Sequence, residues 1–244
     1  MQIITNDKLV RRNRSIGRYA SIVGLVVLVG GMVVSFSKPE LVFLSFAALI
    51  LGFLLSQVGI YFTNRWGREP RPDQFLNQGL KGLDNKYTIY HYTAPVSHLL
   101  VGPAGIWVLL PKNQRGVITY ERGRWRQKGG GFLQSYLRIF AQEGLGRPDL
   151  DVASEVDSLE NYLKKNLPDA DSFPIQAALV FTNDKVDLQI DEIVDIPIPT
   201  LPVNKLKDLI RKAAKGKPVS AEKLQKIQAL LSPGDEGTTQ EEEE

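Results

Sequence analysis

Residues 97–116 read SHLLVGPAGIWVLLPKNQRG. Two apolar runs, 98–101 and 106–110, flank the turn Gly102-Pro103-Ala104-Gly105. Gly and Pro between runs rich in aliphatic and aromatic residues predict a β-hairpin with a tight loop. Ile106, Trp107 and Val108 suit a strand buried on one or both faces. Pro111 removes a backbone donor, so regular pairing is expected to weaken there. Lys112 follows just past the buried strand, where open α/β sheets often carry their chemistry.

Working outward, 87–93 (YTIYHYT) alternates aromatic and β-branched residues and predicts another strand. His91 within it reads as a strand residue rather than a ligand. Upstream, 73–83 is expected to be a short helix with Asp73 as its N-cap. Downstream, 116–121 and 124–128 predict a second hairpin around Arg122-Gly123. Its cations, with their neighbours, are Lys112, Arg115, Arg122, Arg124, Arg126 and Lys128. On alternating strands these are expected to form one cationic surface for nucleic-acid phosphates or anionic lipid. A solvated hairpin face is the plain alternative.

Glycines 129–131 read as a break, and 132–141 has helix-like apolar spacing. The best soluble helix is 149–166, with Val152, Val156, Leu159, Tyr162 and Leu163 at threes and fours. Asp149, Asp151, Glu155 and Asp157 in its first half are read as complementing the helix dipole, not as metal ligands. The continuous apolar run 175–181 suits a central strand. A last strand is expected at 193–198, then helices at 203–214 and 220–231, and a polar, acidic, disordered tail from 232 to 244.

Before the soluble region, 19–36 and 41–62 are uncharged apolar runs separated by Ser37-Lys38-Pro39-Glu40. A bilayer core of about 30 Å needs roughly 20 apolar residues as a helix, so a two-helix membrane hairpin is expected. Lys8, Arg11, Arg12, Arg14 and Arg18 precede the first run, and Arg65, Arg68 and Arg71 follow the second. Only Lys38 lies in the turn, so both termini are expected in the cytoplasm of a multi-pass cell-membrane protein. Tyr61, Phe62 and Trp66 suit the cytosolic interface, while Gly24, Gly30, Gly31 and 48–52 allow close helix approach. The expected organisation is a basic N-terminus (1–18), the hairpin (19–63), a linker (64–72), an α/β domain (73–214), a C-terminal helix (215–231) and the tail (232–244).

The stretch around Lys112 resembles the nuclease-related domain family, a branch of the PD-(D/E)xK nuclease superfamily. His98, Gly102, Gly105, Lys112, Asn113 and Gly116 stand at matching places, as do Gly123-Arg124-Trp125 and the Val-Phe-Thr-Asn run 180–183. The resemblance covers roughly 73–214. It implies an α/β fold, a PD-(D/E)xK-like mixed sheet flanked by helices, here preceded by the membrane hairpin. It also implies a site where two carboxylates hold Mg²⁺ and a lysine positions water. At the matching positions this chain has Ser97 for the Asp and Leu110 for the Glu. With Ser97, Leu110 and Lys112 the catalytic site is degenerate and the ordinary metal site absent.

Composition narrows the rest. The formal net charge of +3 makes no global case for nucleic acid, and the absence of Cys excludes disulfides and thiolate metal sites. Two histidines argue against a histidine-rich zinc site. The expected protein is a non-catalytic interaction module at the cytosolic face, integral to the membrane through two helices, without a cofactor. A nuclease with relocated acids, drawn from Asp73, Asp84 or Glu121 and needing Mg²⁺, is the second reading. A membrane organiser without nucleic-acid function is the third.

Overall fold

The computed structural model describes residues 1–128, 144–167, 174–190, 196–216 and 219–231. The glycine break at 129–131, the expected helix at 132–141 and the acidic tail lie outside them.

The two apolar runs form α1 (Asp7–Ser37) and α2 (Val42–Phe62), joined by a 3₁₀ turn at Pro39–Leu41. Both are long and apolar enough to cross a membrane, with mean hydropathy 2.2 and 2.3 and only 11% of each apolar window buried. Such exposure would be unfavourable for a core helix in water, so these are candidate membrane spans. The helices pack through small residues seven apart: Gly17, Gly24 and Gly31 on α1, and Ser45, Gly52 and Gly59 on α2. A Cβ on Gly24 would come within 2.8 Å of Ser56 Oγ, and one on Gly31 within 2.8 Å of the Ala48 Cβ. Gly30 has nothing within 4 Å and takes no part in the approach, contrary to the sequence expectation.

The basic segment is not a separate terminus. Residues Gln2–Thr5 form strand β1, and α1 begins at Asp7, capped by Asn6 Oδ1 accepting from Leu9 N at 2.9 Å. At the other end, α2 runs on into a π-helical turn, Thr63–Gly67. The expected linker therefore starts as helix. Helix α3 follows (Pro72–Gly79). Its N-cap is Arg71, not Asp73: the Gln74 side chain accepts from Arg71 N, and Asp73 is held by the Arg71 guanidinium at 2.9 and 3.0 Å.

The quoted stretch is the hairpin it was read to be. Strands β3 (His98–Gly102) and β4 (Gly105–Lys112) pair antiparallel, with Gly102 opposite Gly105 across Pro103-Ala104. Gly105 has φ +98, a conformation that suits glycine. Strand β2 (Thr88–His91) joins β3, and β1 lies parallel to β2 at the edge. On the other side β4 is parallel to β7 (Ile175–Phe181), and β7 to β9 (Thr200–Pro202). The mixed sheet thus runs β1-β2-β3-β4-β7-β9. The strand expected at 193–198 falls partly outside the described residues. Its described part, 196–198, is not strand, and the edge strand is Thr200–Pro202.

Pairing does not weaken at Pro111. The β4–β7 ladder continues through Pro111↔Val180 to Lys112↔Phe181. The β3 ladder has already ended at Leu99↔Val108. Pro111 therefore sits where β4 is paired on one side only, and its missing N–H leaves no broken ladder.

The second hairpin, β5 (Gly116–Glu121) and β6 (Arg124–Lys128), turns with φ +52 at Arg122 and +74 at Gly123. Positive φ at both central residues matches the twist of a two-residue hairpin. With β8 (Val186–Gln189), which the sequence did not signal, it makes a separate three-stranded sheet.

Helices cover both faces of the main sheet. Leu100, Trp107 and Leu109 face Leu76 of α3, its C-cap Leu80, and Leu206 and Ile210 of α5 (Leu206–Gly216). Leu99, Val101, Ile106 and Val108 face Leu159 and Leu163 of α4 (Pro148–Asn166) and Leu224 and Ile227 of α6 (Ala221–Leu231). The smaller sheet is attached by a third cluster, where Ile118 and Trp125 meet Leu179 and Phe181.

Candidate functional site

Strand alternation places the key residues before any contact is considered. Ser97 continues the Leu99–Val101 face, and Leu110 and Lys112 continue the Ile106–Val108 face. Ser97 and Lys112 reach α4, through Glu155 and Asp151, whereas Leu110 turns toward the smaller sheet. Because β3 stops short of β4's last residues, an opening of about 850 Å³ forms there. Its walls come from the end of α2 and the π-turn, from Ser97 and His98, from 110–115, from the first turns of α4, and from Thr182-Asn183.

Ser97 is the centre of a short chain of hydrogen bonds. Arg65 Nη2 donates to Ser97 Oγ at 2.6 Å, and Ser97 Oγ donates to Glu155 Oε1 at 3.0 Å. Glu155 Oε2 is buried with no hydrogen-bond partner among the described residues. Burial pushes the Glu155 carboxyl above its ordinary range, against the hydrogen bond from Ser97 and the Arg65 charge, which favour the anion. Arg65 also lies 5.0 Å over the Trp66 ring. Lys112 Nζ pairs with Asp151 Oδ2 at 2.8 Å. Leu110 leans into the apolar cluster around Phe181 and Trp125.

Asp151 and Glu155 stand at i and i+4, so α4 presents both from one side. The sequence reading gave these acids to the helix dipole, and the structure instead puts two of them in the cavity wall. The acids named from sequence as nearest candidates are elsewhere. Asp73 pairs with Arg71, Glu121 with Lys128, and Asp84 accepts from Lys86 N. Arg65 was read only as a topology signal. Nothing in a linear sequence tells which turn of the chain returns to Ser97.

The six expected cations separate. Lys112 and Arg115 line the cavity. On β6, Arg124, Arg126 and Lys128 are exposed, whereas Trp125 is buried and Gln127 lines the cavity. Alternation thus turns those three away from the opening. Arg122 sits in the turn.

Through His98 the cavity borders a buried histidine pair. His91 Nδ1 and His98 Nδ1 are 2.9 Å apart, and His91 Nε2 is 3.0 Å from Asn77 Oδ1. With the Asn77 oxygen accepting, His91 donates from Nε2 and accepts at Nδ1 from His98. Burial lowers both from the ordinary histidine value, His91 to about 4 and His98 well below it, so both are neutral. Tyr92 joins them to the membrane end of the molecule. Its ring is 4.9 Å from His98 and 6.5 Å from Trp66, and Trp66 is 5.2 Å from Phe62. Trp66 is therefore a buried bridge rather than a lipid-facing anchor. Tyr92 has φ +59, unusual for a bulky residue, and such strain gathers at functional sites.

The donor set suits magnesium poorly. A hard divalent cation favours carboxylates and water. Here the two motif positions offer a hydroxyl and a hydrocarbon, a guanidinium stands 2.6 Å from the hydroxyl, and an ammonium holds one of the two acids. Among the described residues no group of three or more His, Cys, Asp or Glu is placed to hold a metal.

No curated protein and no solved structure matches the chain. Residues 71–182 match the family model of the nuclease-related domain. That match includes β2, the β3–β4 hairpin, Ser97, Leu110, Lys112, α4 and Thr182, but neither the membrane hairpin nor Arg65. Over residues 71–182, less than half of its length, the chain is similar to the nuclease-related domain family.

Proposed function

We propose that this protein is a membrane-anchored, non-catalytic binding module whose cavity takes an anion at the cytosolic face of the membrane. The Arg65–Ser97 hydrogen bond carries the reading: a guanidinium is fixed where the family's motif presents an acidic metal ligand. Arg65, Arg68, Lys112 and Arg115 line the opening against Asp151 and Glu155. Burial raises the Glu155 carboxyl above its ordinary range, the direction that favours its neutral form. A multi-pass topology with cytoplasmic termini follows from the basic residues at the domain end of both helices and the lone Lys38 at the other.

One observation favours a second reading. Asp151 and Glu155 enter the same cavity from one side of α4, so relocated acids serving a metal-dependent nuclease have a physical basis. The full chain in detergent micelles, offered single- and double-stranded DNA and RNA with Mg²⁺ or Mn²⁺, separates the two. No cleavage is expected. Cleavage abolished by both Lys112→Ala and Asp151→Asn would replace the first reading with the second. Anion binding that weakens with salt and in Lys112→Ala, without cleavage, supports the first.

A further inference from the structure

The cavity is built partly from the membrane anchor itself. Tyr61, on the last turn of α2, is one of its walls, and Arg65 and Arg68 follow immediately. Arg65 lies three residues beyond Phe62, the end of α2, or about 4.5 Å along a helix. The hydrocarbon core ends near the last apolar residues of a span, and polar headgroups occupy the next several ångströms. The cations of this opening thus lie at headgroup depth. Lys112 and Arg115 approach from the sheet side of the same opening.

Resting on the anion-binding reading above, we propose that the cavity binds the phosphate headgroup of an anionic phospholipid from the adjoining leaflet. Arg65 and Arg68 would meet the phosphate from the membrane side, and Lys112 and Arg115 from the domain side. Tyr61 gives the glycerol region an amphipathic ring of the kind that settles at this depth. Arg suits the task because its planar fork matches phosphate oxygens in pairs. A nucleic acid would have to displace headgroups to reach the same cations. Its polyanionic backbone finds an open surface instead on the exposed face of β6.

The test uses the full chain in nanodiscs of phosphatidylcholine with and without phosphatidylglycerol, read by native mass spectrometry for lipid retained per chain. Selective retention of phosphatidylglycerol is expected. It should fall roughly twenty-fivefold in Arg68→Ala/Arg115→Ala, since two basic groups near an anionic surface each contribute about a factor of five. Lys164→Ala/Lys165→Ala, at the far end of α4, removes equal charge and should change nothing. Lys112→Ala provides a second variant if the first fails to fold. Equal retention of both lipids would overturn the proposal, as would loss only in Arg124→Ala/Arg126→Ala. Inorganic phosphate and a single-stranded oligonucleotide form the other arms. If either binds through Lys112 and Arg115 while no lipid preference exists, the lipid assignment fails but the anion-binding reading stands. If metal-dependent cleavage appears, both fail.

Discussion

Two buried histidines 2.9 Å apart set the pH response of this site. Each is neutral in the folded protein because burial disfavours the imidazolium, and for His98 the Arg65 charge adds to that. Asp73 opposes the effect on His91, and Arg71 reinforces it. In the unfolded chain both take up a proton below about pH 6.5. The folded state resists this down to about 4 for His91. The unfolded state therefore binds more protons across that window, and stability falls as pH drops. Across the His91 window the loss is on the order of 1 kcal/mol per pH unit, and His98 acts in the same direction. Glu155 has the opposite sign: its raised folded value means stability falls as pH rises above the ordinary carboxyl range. Thermal melts of the full chain in micelles check this. The melting temperature of Glu155→Gln should drop more steeply on acidification below pH 6.5 than that of the parent, and that of His91→Gln less steeply. Identical pH profiles for all three would remove the histidine account. Arg65 offers a second residue-level experiment. If its guanidinium stands in for a metal, then Arg65→Ala with Ser97→Asp and Leu110→Glu should gain a Mn²⁺-dependent rise in melting temperature that the parent lacks.

At the scale of elements, the membrane hairpin depends on backbone approach. Gly24→Val would drive a side chain into Ser56, whose Oγ and N lie within 2.9 Å of a Cβ there. A cost of about 1–3 kcal/mol is expected from overpacking. Gly30→Val, six residues along the same helix and facing open space, should be nearly neutral. A melting series in micelles that ranked the two equally would refute this packing. The same contrast shows what sequence reveals. Small residues in an apolar run announce that helices can approach, but not which of them face each other, so Gly24 and Gly30 look alike until the partner helix is placed. The β3–β4 and β5–β6 hairpins were legible because turn and strand signals are local, as in Gly102-Pro103-Ala104-Gly105 and Arg122-Gly123. The helix at Pro148–Asn166 was legible from its apolar repeat. Strands β1, β8 and β9 were not. Each has four residues or fewer, and each exists only because a distant strand offers hydrogen bonds. Asp151 and Glu155 failed to signal for the same reason: on the helix they suit the dipole, and only the returning sheet makes them cavity walls.

Taken whole, the molecule inserts its apolar hairpin between two adjacent strands at the edge of its sheet. Strand β1 leaves the sheet edge, α1 and α2 pass out and back, and the chain re-enters as β2, parallel to β1 and hydrogen-bonded to it from Gln2↔Thr88 to Thr5↔His91. The anchor is therefore the connection between two neighbouring strands, not a tether on one end of a finished domain. Further contacts fasten the junction. The Met1 ammonium donates to Leu83 O at 3.2 Å and Asn85 Oδ1 at 3.0 Å, Asn6 Nδ2 donates to Tyr92 O, and Arg14 pairs with Glu69 at 3.0 Å. A fragment beginning at Asn64 would keep all of the family-matched region yet lose β1. Strand β2, every residue of which is buried, would then become an unprotected edge. Such edges pair with other chains, so the fragment is expected to self-associate at concentrations where the full chain in micelles does not. Sedimentation analysis would read this directly. Appending residues 1–6 through a flexible Gly/Ser linker long enough to replace the hairpin should return the fragment to a monomer, because the missing strand is again available to β2. A fragment that is monomeric without β1, and as heat-stable as the linked form, would mean that the first strand adds nothing to the sheet. The anchor could then be treated as separable from the domain it carries.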